Sequence, residues 1–137
     1  MILQRGFENP AAYCGGYVSI GNFDGVHRGH RQIASVLVAR AHAAGVPAVV
    51  LTFDPHPISL LRPGQAPPGL STTSRKAELL ALCGVDCVIA YPTDGELLSL
   101  APVDFFERIV RGELQARGMV EGRPLVEGAV LDRFEAD

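Results

Sequence analysis

Gly16-Tyr17-Val18-Ser19-Ile20 runs without a break into Gly21-Asn22-Phe23-Asp24-Gly25-Val26-His27-Arg28-Gly29-His30. The first segment is short, carries β-branched residues and is bounded by glycines, which suits a buried strand. The second is a turn punctuated by glycine. After it Ile33, Val36, Leu37, Arg40 and Ala41 recur at three- and four-residue steps, the spacing of one helix face. Gly45 stands where such a helix stops. Strand, glycine turn and helix in that order decide the reading of the rest of the chain.

The same alternation continues. Val46–Phe53 is a continuous apolar run of the kind a parallel strand buried on both faces shows. Asp54-Pro55-His56-Pro57 ends it, because two prolines cannot continue a central strand. A Pro/Gly-rich stretch at 62–71 precedes a helix over 72–82, with hydroxyl residues available to cap it and Gly84 to close it. Val85–Tyr91 is a third strand. Residues 101–110 read as a helix with Pro102 near its first turn, extending toward Gly118. Residues 1–14 read as a loose lead-in. Strands separated by helices imply crossover connections and a parallel sheet, an α/β fold. Ligands in such sheets bind beyond the carboxyl ends of the strands. The 21–30 turn and the 54–57 turn both fall on that rim.

Composition narrows the classes. The chain has 137 residues, 47% hydrophobic and 20% charged, which matches one globular domain and excludes disorder. A net charge of −3 argues against a general nucleic-acid or membrane-surface binder. No apolar run approaches the roughly 18–20 residues of a membrane span. Residues 1–10 lack the apolar core of a signal peptide. Cys14, Cys83 and Cys87 are odd in number and show no C-x-x-C spacing, so they read as reduced thiols in a cytoplasmic protein. Cys83 and Cys87 read as small apolar fillers.

His27-Arg28-Gly29-His30 carries the chemistry. A helix starting near His27 places both imidazoles on one face of its first turn. Its free N–H groups and partial positive charge attract phosphate, and Gly29 leaves room for close approach. The imidazoles add donors that follow charge as it builds on a phosphoryl group. An isolated H-x-x-H pair would read as surface; the preceding strand and glycines favour a nucleotide-phosphate site. Zinc held by His27, His30, His56, Asp24 and Asp54 is a competing reading, disfavoured because a helix N-terminus repels a cation. Asp54 reads either as a turn cap or as a direct ligand group. Lys76 reads as a solvated helix charge, with a phosphate contact as the alternative. Phe105, Phe106 and Ile109 read as core.

The run from Ser19 to His30, then Thr52-Phe-Asp-Pro-His-Pro57, Lys76-Ala-Glu-Leu-Leu80 and Gly84-Val-Asp86, resembles the amino-terminal module of prokaryotic bifunctional riboflavin kinase/FAD synthetases. That module is a Rossmann-like domain of the H-x-G-H nucleotidylyltransferases. The resemblance implies transfer of AMP from ATP to FMN, giving FAD and pyrophosphate, with magnesium accompanying ATP. It implies that His27 and His30 hold ATP phosphates and stabilise the transition state. It implies that Gly21, Asn22, Phe23, Asp24, Gly25 and Gly29 shape the nucleotide pocket. Asp54, Pro55, His56 and Pro57 would border the flavin.

The motif match covers residues 16–121. The expected domain is therefore 1–122, an incomplete version of the family fold lacking C-terminal elements. Residues 123–137 form a divergent tail, with Pro124 near the place of a family asparagine, and a riboflavin kinase domain is expected to be absent. The expected partners are small molecules only, ATP and FMN, with neither nucleic acid nor membrane. Two further readings stay open: a nucleotide-binding remnant without turnover, and an H-x-G-H transferase with another phosphorylated acceptor.

Overall fold

A computed structural model describes residues 1–21, 23, 28–54, 73–92 and 99–120. The strands are β1 (Ile2–Gln4), β2 (Tyr17–Ile20), β3 (Ala48–Asp54), β4 (Cys87–Pro92) and β5 (Gly118–Met119). They form one five-stranded sheet in the order β1-β4-β3-β2-β5. Every pairing is parallel. Helix α1 (Arg28–Ala43) connects β2 to β3, and α2 (Thr73–Leu82) lies between β3 and β4. Helix α3 (Pro102–Phe105) passes directly into a π-helical stretch, Phe106–Glu113, ahead of β5.

The local sequence explains these elements. Ala34, Leu37 and Ala41 are the buried residues of α1, at the spacing of one face. Each of α1 and α2 ends on a glycine with positive φ, 71° at Gly45 and 97° at Gly84. In both, the next N–H reaches five residues back, Val46 to Ala41 and Val85 to Leu80. That closure suits glycine, since other residues strain in the left-handed region. The helix read over 101–110 widens after Phe105: the Leu114 N–H donates to the Ile109 carbonyl at 2.8 Å, five residues back. The wider turn keeps Ile109, Val110 and Leu114 all buried against the sheet.

Alternation along the strands divides the core into two layers. Ala48 and Val50 of β3 join Ala34 and Leu37 of α1 and Ala77 and Leu80 of α2 on one face. Val49 and Leu51 join Ile109, Val110 and Leu114 on the other. Both faces of the sheet are thus covered, as a parallel sheet requires.

Two sequence expectations are corrected. Residues 2–4 are no lead-in: they form β1, paired in register with Cys87–Ile89. The pairing partner lies more than eighty residues away in sequence, so three residues give no local signal of it. Lys76 is not solvated. It is 3% exposed, among the buried residues of α2 that pack toward the sheet.

Candidate active site

β2, β3 and β4 all end on one rim, and the register fixes what stands there. Phe53 pairs with Tyr91 and Asp54 with Pro92. Ile20 pairs with Leu51, and the Gly21 N–H donates to the Leu51 carbonyl at 3.1 Å. The chain then leaves the sheet toward α1.

Gly21, Phe23 and His30 come together there. Phe23 takes a left-handed backbone conformation, φ 52°, and is 4% exposed. That conformation is uncommon for a large side chain. It turns the ring inward, over Gly21 and against His30. A Cβ on Gly21 would lie 3.2 Å from Phe23 Cε2. The Phe23 and His30 rings are 5.1 Å apart at an interplanar angle of 49°. The imidazole is therefore positioned by packing from its own turn. Gly29 precedes it in the first turn of α1, which holds no acidic residue. Asn22, Asp24, Gly25 and His27 lie outside the described residues, as do Pro55, His56 and Pro57 and the segment 123–137. The shared face of His27 and His30 and the geometry of the 55–57 turn lie there too.

Asp54 is the described residue of the second turn, and three residues face it. Arg5, one residue past β1, reaches its Oδ2 at 2.5 Å. Thr73 and Lys76 of α2 face it as well. The Arg5 hydrogen bond is the largest influence holding the Asp54 carboxyl below its usual range. Burial opposes it, while the Thr73 hydroxyl and the Lys76 charge add to it. Of the five residues in the competing zinc reading, Asp24, His27 and His56 lie outside the described residues.

On the other side of the rim stands an aromatic group that the sequence pattern left in the core. Phe105 lies 6.3 Å from Phe53 and 6.4 Å from Tyr91, and Phe7 lies 5.5 Å from Tyr91. A cleft of about 310 Å³ opens beside them, lined by Phe7, Tyr91, Pro92, Arg108, Ile109 and Glu113. Arg5, Thr73, Tyr91 and Phe105 are rim residues that sequence reasoning did not name for the site. Lys76 carried a signal, as one of two alternatives.

The profile of the FAD synthetase family matches residues 9–129 of this chain. The chain belongs to the FAD synthetase family. The bifunctional riboflavin kinase/FMN adenylyltransferase of Escherichia coli strain K12 is 34% identical over 131 residues, which cover 94% of this chain and 42% of that protein. The Pseudomonas fluorescens protein of the same description is 40% identical over 111 residues, 80% of this chain and 35% of its own length. The chain thus spans about two fifths of the length of the curated relatives it matches. A crystal structure described as a macrolide-efflux protein from Streptococcus pneumoniae superposes with a TM-score of 0.70 at 24% identity. It covers 88% of this chain and 41% of that one, and the likeness concerns the fold alone.

Proposed function

We propose that this chain carries the FMN adenylyltransferase site of its family, transferring AMP from ATP to FMN. The observation that carries the proposal is the His30 imidazole packed by Phe23 over Gly21 at the mouth of α1, on the rim where such sheets bind ligands. An oxygen of the FMN phosphate attacks the α-phosphorus of ATP. The bond from that phosphorus to the oxygen bridging toward the β-phosphate breaks, and pyrophosphate leaves with the electron pair. FAD and pyrophosphate account for every atom of the two substrates. No covalent bond to the protein is needed, so the protein supplies position and charge. His30, and His27 by sequence, donate hydrogen bonds to phosphate oxygens as negative charge grows. Asn22, Asp24, Gly25 and Gly29 complete the nucleotide turn, and Asp54 with Pro55, His56 and Pro57 borders the acceptor.

The two sides of the rim suit the two ends of the acceptor. Alternation puts Asp54 on the α2 side and Phe53 on the α3 side. A molecule with a flat ring at one end and a phosphate at the other can lie across the rim. Its ring would meet Phe53, Tyr91 and Phe105, and its phosphate would turn toward His30. Magnesium enters as part of the nucleotide, offsetting triphosphate charge. Among the described residues no three His, Cys, Asp or Glu gather to hold a metal, and Asp54 is engaged by Arg5. No helix of the described residues is long and apolar enough to cross a membrane. The reading places the chain in the bacterial cytoplasm, where ATP is at hand and its three free thiols stay reduced. It takes residues 1–122 as the nucleotide-binding domain.

The deciding experiment incubates the purified chain with ATP, FMN and magnesium and separates the products. FAD is the expected product, and His30→Ala should lower its rate by about 10²–10³-fold, the scale of one lost transition-state donor. A folded chain that makes no FAD, or a His30→Ala variant with undiminished rate, overturns the proposal.

A further inference from the structure

Arg5 stands one residue past β1, at the edge of the sheet, yet its guanidinium bonds the Asp54 carboxylate at the end of β3. β4 lies between those two strands. Neighbouring strands are about 4.8 Å apart, so the bond crosses roughly 10 Å of sheet, within reach of a long side chain only. The segment that presents Arg5 is fixed on both sides of it. Before it, the buried Gln4 accepts the Asn9 N–H at 2.9 Å. After it, the Phe7 ring packs 5.5 Å from Tyr91 and 5.7 Å from Tyr13. The Phe7 carbonyl accepts the Tyr13 hydroxyl at 3.2 Å. Stability alone does not explain this order at the rim. An ion pair whose side chains are 65% and 31% exposed adds little to folding. What it does restrict is the carboxylate. Arg5 reaches Asp54 from the end of β1, and Thr73 and Lys76 face it from the start of α2. A carboxylate held from two separate elements keeps one orientation.

We propose that Arg5 is a positioning residue for the transfer: from the end of β1 it fixes the Asp54 carboxylate on the acceptor side of the rim, and FMN binds and reacts less well without it. The proposal rests on the adenylyl-transfer reading, which sets the acceptor beside Asp54. Arg5 itself touches neither substrate; it acts through the carboxylate. The nucleotide turn is a separate structure. Gly21, Phe23 and His30 gather at the mouth of α1, past the end of β2, and β2 lies on the far side of β3 from β1. Loss of Arg5 therefore falls on the acceptor and spares ATP. A general loosening of the fold would weaken both. The edge strand β1 thus has a part in the reaction, as the mount from which Arg5 reaches the rim.

The test measures KM and kcat for FMN and for ATP in FAD formation by the full chain, and FMN affinity by flavin fluorescence. The variants are Arg5→Gln, Arg5→Lys, Asp54→Asn and the double variant of Arg5→Gln with Asp54→Asn. Arg5→Gln should raise the KM and dissociation constant for FMN about 3–5-fold, the scale of one exposed ion pair, with the ATP KM within about 2-fold of wild type. Arg5→Lys should recover part of the loss, because lysine keeps the charge but not the planar fork. Asp54→Asn should lose at least as much as Arg5→Gln, and adding Arg5→Gln to it should change nothing further, since the two residues act as one unit. His42→Ala, which breaks a half-exposed pair with Asp86 at the opposite end of the sheet, should leave every constant at its wild-type value. The proposal is overturned if Arg5→Gln matches wild type, if the FMN and ATP constants shift together, if the two single losses multiply in the double variant, or if His42→Ala loses as much. Should wild type bind FMN without making FAD, the transfer reading falls, and FMN affinity across the same variants decides the role of Arg5. FAD formation with FMN constants indifferent to Arg5 sinks this proposal alone. A folded chain that binds no FMN sinks both.

Discussion

Replacing Gly21 by Ala should destabilise the chain through one contact, and a double-mutant cycle can isolate it. Gly21 does not have a positive φ, so alanine fits its backbone. Removing glycine from the unfolded ensemble would by itself stabilise the chain by about 0.4–1 kcal/mol. The new Cβ, however, would stand 3.2 Å from Phe23 Cε2 and 3.5 Å from Cδ2. The ring must move by a few tenths of an ångström. It is buried, held by a left-handed backbone and packed against His30. Overpacking of this kind costs about 1–3 kcal/mol, so the net loss is about 0.5–2 kcal/mol. At roughly 3–4 °C per kcal/mol for a chain of this size, the melting temperature falls by about 2–8 °C. Phe23→Leu removes the atoms that the Cβ meets. In that background Gly21→Ala should be neutral or stabilising, giving a coupling of about 1–3 kcal/mol between the two positions. The assay is thermal or urea unfolding of wild type, both single variants and the double variant. Because the displaced ring leans on His30, FAD formation by Gly21→Ala should also fall, by about 3–10-fold, given that a 1 Å misplacement costs about 10²-fold. An equal stability loss in both backgrounds would refute the reasoning, for it would mean that Phe23 does not limit residue 21.

Asp54→Asn should alter the acid limb of the stability profile. With its carboxyl held below the ordinary value of 3.8, chiefly by the Arg5 hydrogen bond, Asp54 adds stability that is full above that value and is lost as pH falls through the lowered one. The variant should lose about 1 kcal/mol at neutral pH and show a flatter decline below pH 4, read from urea midpoints across pH; a parallel profile would count against the pairing. Burial pushes the Cys87 thiol up to about 11, so it should be the last of the three cysteines to react with a thiol reagent at pH 8, and labelling that precedes Cys14 and Cys83 would contradict its placement. Asp86 accepts the Ala48 N–H at 2.9 Å and meets His42 Nε2 at 2.8 Å. Asp86→Ala should therefore cost about 1 kcal/mol and His42→Ala less, because the surface pair is screened while the backbone donor loses its partner; equal losses on chemical denaturation would show that the pair, not the backbone bond, carries the effect.

The glycine stops at Gly45 and Gly84, the apolar face of α1 and the strands β2, β3 and β4 were legible because each depends on neighbours within a turn or a strand. So was the rim: parallel strands separated by helices place Gly21 and Asp54 at one end of the sheet. The H-x-G-H run and the T-F-D-P-H-P run carried the resemblance to the family, and the family profile over residues 9–129 agrees. The rest depends on partners far apart in sequence. β1 has its partner in β4, more than eighty residues away, so a three-residue strand looked like loose chain. Arg5 meets Asp54 for the same reason, 49 residues away. Lys76 has the residue type of a solvated charge, and its burial follows from the face that α2 turns toward β3. Phe23 reads as a turn residue, and only its left-handed backbone brings its ring onto His30. Local spacing determined most of the helices and strands. Tertiary structure decided which charge meets which, because burial and pairing are properties of surfaces that exist only after the sheet is assembled.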